Sequence, residues 1–126
     1  MISLKLFGGA SLERDGAILS GRVAQRHRLA LLSLLAVSHP RPLSRDKLLG
    51  YLWPERDTDH ARNLLKQAVH VIRKALGEGV IRSAGDDLYF EPSQLDCDAL
   101  AFEESLASGD RERAIELYAG PFLDGF

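Results

Sequence analysis

A chain of 126 residues holds one ordinary domain, or a small domain and a fragment of a second, and its 45% apolar content excludes a disordered chain. No apolar run is long enough to span a bilayer, and Met1-Ile2-Ser3-Leu4-Lys5 lacks the basic and apolar regions of a secretory signal. The single cysteine, Cys97, excludes an internal disulfide and fits a reducing cytoplasm. The net charge of −2 conceals a division: residues 1–85 hold 14 Lys and Arg against 7 Asp and Glu, a net of +7, whereas residues 86–126 hold 2 against 11, a net of −9. A basic half joined to an acidic half implies two units with different partners.

In chain order, Ser3–Phe7 alternates and ends at Gly8-Gly9, which predicts a strand and a turn. Ser11–Arg14 with Asp15-Gly16 predicts a second strand and a hairpin turn, and Ala17–Leu19 a third short strand. A first helix is expected from about Arg22 to Ser38. Its Leu29–Ala36 stretch is apolar nearly all round, as in a centrally buried helix, and His39-Pro40-Arg41-Pro42 ends it. Ser44 is a suitable N-cap for a second helix, about Arg45 to Trp53, closed by Pro54, with Trp53 anchoring it in the core. After the charged loop Glu55–Asp59, Thr58 or Asp59 is expected to cap a third helix from Ala61 to Leu76, terminated by Gly77. Val80–Ser83 and Leu88–Glu91 flank Ala84-Gly85-Asp86-Asp87 and predict a second hairpin. Beyond Pro92, Ala99–Ala107 and Arg111–Tyr118 read as two short amphipathic helices. The chain ends with two exposed-looking Phe residues, Phe122 and Phe126, and unsatisfied aromatics there suggest truncation of a longer protein.

The third helix is the most informative element. At about 100° per residue, Ala61, Leu64, Leu65, Ala68, Val69, Val71, Ile72, Ala75 and Leu76 share one side. Arg62, Asn63, Lys66, Gln67, His70, Arg73 and Lys74 share the other, with no carboxylate among them. A solvated helix face ordinarily mixes Glu with Lys, because opposite charges four apart support each other. A face of only Arg, Lys, Asn, Gln and His carries donors that pair with phosphates and purine edges. On this reading Lys66, Gln67 and His70 lie near the middle of the arc, Arg62 and Arg73 at one margin and Lys74 toward the other. Arg41, Arg45, Lys47 and Arg82 are candidate clamps on backbone phosphates. The order of small strands, three helices and a hairpin is that of a winged helix-turn-helix, an α+β fold with an N-terminal small antiparallel sheet and a C-terminal β-hairpin wing.

Leu48-Leu49-Gly50-Tyr51-Leu52-Trp53-Pro54, Ala61–Val69 and Ile72-Arg73-Lys74-Ala75-Leu76-Gly77 resemble the DNA-binding domain of SARP-type bacterial regulators, which share the winged helix of OmpR-like response regulators. Asp96-Cys97-Asp98 with Phe102-Glu103, and Leu117–Phe126, resemble the opening of the bacterial transcriptional activator domain. The resemblance implies a winged-helix DNA-binding domain over 1–92 and, over 93–126, the start of a tetratricopeptide-like activator domain. It further implies a cytoplasmic regulator of transcription that binds double-stranded DNA at direct repeats. The 55–59 loop is a candidate contact for RNA polymerase, and the C-terminal helices are a candidate surface for self-association. Val71 stands where such recognition helices often carry Arg. The wing turn is acidic, and carboxylates at its tip would repel phosphates, while Tyr89 matches the wing tyrosine of such domains and is by that resemblance a candidate phosphate contact. These two departures sustain an alternative, a protein-interaction module whose winged helix no longer binds DNA.

Other chemistry finds no support in the sequence. His27, His39, His60 and His70 show no metal-ligand spacing with Cys97 or each other. Neither a phosphate-binding Gly-rich loop nor a nucleophile elbow occurs, so an enzyme, a metal and a cofactor are not expected.

Overall fold

The computed structural model describes residues 2–126. Strands β1 (Ile2–Lys5), β2 (Ser11–Arg14) and β3 (Ala17–Ile18) form an antiparallel meander. Arg14 pairs with Ala17, which leaves the two-residue loop Asp15-Gly16. Both loop residues have positive φ, 52° and 87°. A tight primed hairpin turn requires this, and Asp and Gly tolerate it. Leu4 and Leu12 are register partners and fully buried.

The first helix starts later than the expected Arg22. A 3-10 turn, Arg22–Ala24, is separated by extended Gln25 from α1 (Arg26–Ser38). Leu29, Leu31, Leu32, Leu35 and Ala36 of α1 are buried, and so is Ser33, whose hydroxyl donates to the Leu29 carbonyl at 2.7 Å. After β4 (Leu43–Ser44), α2 (Arg45–Leu52) begins where the Ser44 hydroxyl accepts the Lys47 N–H at 3.1 Å. Trp53 is the C-cap of α2 rather than its last residue and is buried as expected, 7% exposed, with the His27 ring stacked on it at 5.3 Å and 10°.

Helix α3 (Thr58–Leu76) starts three residues before Ala61, because Asp57 rather than Thr58 or Asp59 supplies the cap. The Asp57 carboxylate accepts the His60 N–H at 2.8 Å. Asp59 in the first turn and Arg73 and Lys74 in the last complement the helix dipole. The wing is β5 (Ile81–Ala84) and β6 (Asp87–Phe90), joined by Gly85-Asp86 and extended by β4 into a sheet of order β4-β6-β5.

Beyond the wing, β7 (Asp96–Cys97) pairs in parallel with β1, so the N-terminal sheet is mixed and not purely antiparallel as expected. Helices α4 (Asp98–Ser108) and α5 (Arg111–Leu117) pack together, turned by Gly109 at φ 83° and started again by the Asp110 cap. Asp98 is buried, and its two carboxylate oxygens accept the backbone N–H groups of Leu6 at 2.7 Å and Phe7 at 3.2 Å. Leu95 and Cys97 belong to the same core as α1 and α3. The terminal aromatics are not unsatisfied: Phe7 gathers Phe102, Tyr118 and Phe122 at 5.1, 5.3 and 6.2 Å. The Arg26 guanidinium lies 4.4 Å from the Phe126 ring and donates to the Phe126 carbonyl at 2.6 Å. Among the described residues, no helix is long and apolar enough to cross a membrane.

Candidate nucleic-acid interface

Packing against α1 and α2 fixes which face of α3 looks outward. Ala61, Leu65, Ala68, Val69, Val71 and Ile72 are buried, and Leu64 and Leu76 half-buried. Ala75, assigned to the apolar side by periodicity, is exposed. It lies where the last turn passes beyond the core. Val71, at 8% exposure, is part of the core at its margin.

Arg62, Asn63, Lys66, Gln67, His70 and Lys74 are exposed. Two members of the polar arc differ from expectation. Arg73 is half-buried, and its Nε and Nη2 both donate to the Ile81 carbonyl, at 3.0 and 2.8 Å. That guanidinium ties α3 to the base of the wing. Gln67 lines a small cleft with Trp53, Leu64 and Ala68, which puts it at the margin of the arc. Asn63, Lys66 and His70 hold the centre.

The wing-side flank of α3 is a groove of about 550 Å³ lined by Arg45, Arg62, Lys66, His70 and Arg73, but also by Asp46, Glu78 and Asp86. Arg45 lies 3.7 Å from Asp86 at the wing turn, and Arg62 lies 3.7 Å from Asp46. The acidic wing tip is thus offset by Arg45, and Arg45 is correspondingly occupied. Both pairs are solvent-exposed at one or both ends and hold their partners weakly. Arg41, Lys47 and Arg82 are exposed, Tyr89 is half-buried opposite Arg82 in the wing, and none of the four lines this groove.

The opposite flank was not anticipated. Ser20 and Arg22 share one cleft with His70 and Lys74. Gln25, His27, Arg28, Glu55 and Arg56 share a second with Gln67. The signal was present in the sequence: no Asp or Glu occurs between Asp15 and Asp46, and that span carries Arg22, Arg26 and Arg28 before the apolar run. The test applied to the third helix, a basic stretch without acid, finds this one too.

Away from α3, burial pushes the Cys97 thiol above its ordinary range, and the charges of Asp98 and Glu103 add to the shift. A buried thiol held protonated is a poor nucleophile. Among the described residues, no group of three or more His, Cys, Asp and Glu is placed to hold a metal ion.

Helix α3 behind α2 and beside a hairpin defines a winged-helix protein. Residues 23–84, from the 3-10 turn to the end of β5, match the family model described as "Transcriptional regulatory protein, C terminal". A solved structure of EmbR from Mycobacterium tuberculosis, in complex with a low-affinity phosphopeptide, is similar over 98% of this chain. The TM-score is 0.68 at 24% identity, and the match takes in 37% of the EmbR chain, so the likeness establishes the shared fold. No curated protein sequence matches the chain.

Proposed function

We propose that this chain is the DNA-binding portion of a SARP-type regulator of transcription, acting in the cytoplasm, with α3 entering the major groove of double-stranded DNA. The observation that carries this reading is the outward face of α3. From Arg62 to Lys74 six exposed donor-bearing side chains occupy it with no carboxylate among them, Asp59 in the first turn being the one acid of the helix, and the other face is locked in the core. Asn63, Lys66 and His70 read base edges. Lys74 and, once released from Asp46, Arg62 reach phosphates. Arg73 acts by fixing the angle between α3 and the wing. In this reading residues 93–126 begin a helical activator domain whose first strand and helix are docked on the winged helix, and the exposed carboxylates of Glu55 and Asp59 in the 55–59 segment are the candidates to meet RNA polymerase.

Selection of bound sequences from a random DNA pool tests the proposal. A recurring motif, spaced as direct repeats, is the expected result; no enrichment overturns it. The carboxylates of Asp46, Glu78 and Asp86 around the wing-side groove favour a second reading, a surface for a basic protein partner. Affinity for DNA that stays flat as salt rises would support it, because phosphate binding releases counterions and must weaken.

A further inference from the structure

The two flanks of α3 differ in one respect that bears on how DNA would be held. On the wing side, Arg45 and Arg62 each have a carboxylate at 3.7 Å. On the other side, no carboxylate among the described residues lies within ion-pair distance of Arg22, Arg28 or Arg56, and Glu55, which lines the second cleft, pairs with none of them. We infer that this flank, formed by Arg22, Arg28 and Arg56 beside Lys74 and Gln67, is the principal clamp on the phosphate backbone of one DNA strand, and that the wing is secondary.

The inference rests on the DNA reading above and extends it to residues outside α3. A helix in the major groove has a sugar-phosphate backbone along each side, and cations there set register and orientation. The cleft at Gln67 and the cleft at Lys74 are two turns of α3 apart, about 10 Å along its axis, so they would serve separate phosphates. Among the described residues their arginines are in no ion pair, although Glu55 lines the cleft at Gln67. Arg28 is half-buried, its Nη1 donates to the Arg22 carbonyl at 2.6 Å, and its buried Nε has no partner. Burial and the neighbouring Arg22 charge both lower the affinity of its guanidinium for its proton. A half-buried guanidinium held against a second arginine and in no ion pair, as Arg28 is, is stabilised by an incoming polyanion. Arg26 is excluded from the clamp because its guanidinium is committed to Phe126.

The test measures binding of the full chain to a labelled DNA duplex of mixed sequence between about 50 and 200 mM salt. Arg22→Gln and Arg56→Gln, singly and together, are compared with Arg45→Gln on the wing side. Each flank substitution is expected to reduce the slope of log affinity against log salt by about one unit, for all sequences alike. Over that salt range the double variant would lose roughly tenfold less affinity than wild type. Arg45→Gln should change the slope less, and Arg22→Lys should restore it. Arg22 and Arg56 are exposed, so thermal unfolding should not move; were Arg56→Gln to destabilise the chain, Arg22→Gln alone decides. Wild-type binding that weakens with salt, with an unchanged slope in the double variant, overturns the clamp and leaves the α3 reading standing. Wild type that fails to bind duplex DNA at all overturns both.

Discussion

Helices α1 and α3 pack on the same core and have opposite relations to it. From Leu29 to Ala36, α1 shows solvent only part of Ala30 and Leu34, and its one polar residue there, Ser33, turns its hydroxyl back onto the Leu29 carbonyl. Helix α3 keeps one side in the core and, from Arg62 to Lys74, sets six polar side chains into solvent on the other. A helix buried all round can only support, whereas a two-faced helix docks and displays at once. The contrast predicts that substitutions within Leu29–Ala36 appear as lost stability and outer-face α3 substitutions as altered binding with stability intact.

The largest effect should come from the buried side of that contrast. Leu32 is fully buried in α1. Leu32→Ala removes its packing and leaves a cavity that neighbours fill only in part, which costs about 2–5 kcal/mol. Denaturant unfolding measures it, and a loss under 1 kcal/mol would show that α1 is less central than its burial indicates. DNA affinity of the folded fraction should be unchanged.

A second substitution sharpens the comparison by acting outside the winged helix. Asp98→Ala strands the N–H groups of Leu6 and Phe7, which its carboxylate now accepts, at about 1–3 kcal/mol for each N–H that stays dry. The expected result is a fall in unfolding temperature with no change in DNA preference. The same bonds bear on deletion of residues 94–126. That cut removes Asp98, strand β7 and the fully buried Leu95, so it should destabilise the remainder even though the removed segment is acidic and away from α3.

On the display side, His70→Ala and Asn63→Ala should relax preference at individual base positions by about 1–3 kcal/mol each. Both side chains are exposed, so unfolding temperature should barely move. Repeating the selection from a random pool with each variant gives the readout. Motifs identical to the wild-type one in both variants would remove α3 from the role of reader. Gln67→Ala should have a smaller effect on the motif than either, because Gln67 shares a cleft with Trp53 at the margin of the arc.

What the sequence disclosed follows from how local each cause is. The two-sided character of α3 is written in a 19-residue helix through a repeating period, and the Asp15-Gly16 turn in two adjacent residues. The start of α3 was ambiguous because Asp57, Thr58 and Asp59 are all competent caps, and only geometry selects the first. Strands β4 and β7 have two residues each, too few for any period, and exist through pairing with β6 and β1. The same limit explains the site. Arg73 belongs to the polar arc by position, but its acceptor, the Ile81 carbonyl, comes from the wing. Asp86 reads as repulsive to phosphate until Arg45, distant in sequence, is brought within 3.7 Å. The flank at Arg22 could have been found from its lack of acid, but its placement beside His70 and Lys74 needed the fold.

The smallest predicted effect is the one that separates holding DNA from reading it. Lys74 is exposed in the last turn of α3, beside Arg22, where its ammonium complements the helix C-terminus. A Lys there carries a point charge on a flexible stem, suited to a phosphate and poorly suited to fixing one base edge. Lys74→Ala should therefore weaken all sequences alike and lower the salt slope by about one unit, with the selected motif intact. Loss of the favourable charge at the helix end should cost only about 0.3–1 kcal/mol of stability. Titrations on the selected sequence and on an unrelated duplex provide the check. A weakening confined to the selected sequence would make Lys74 a base reader and extend the recognition surface to the C-terminal end of α3. A weakening shared by both duplexes would leave Asn63, Lys66 and His70 as the centre of readout.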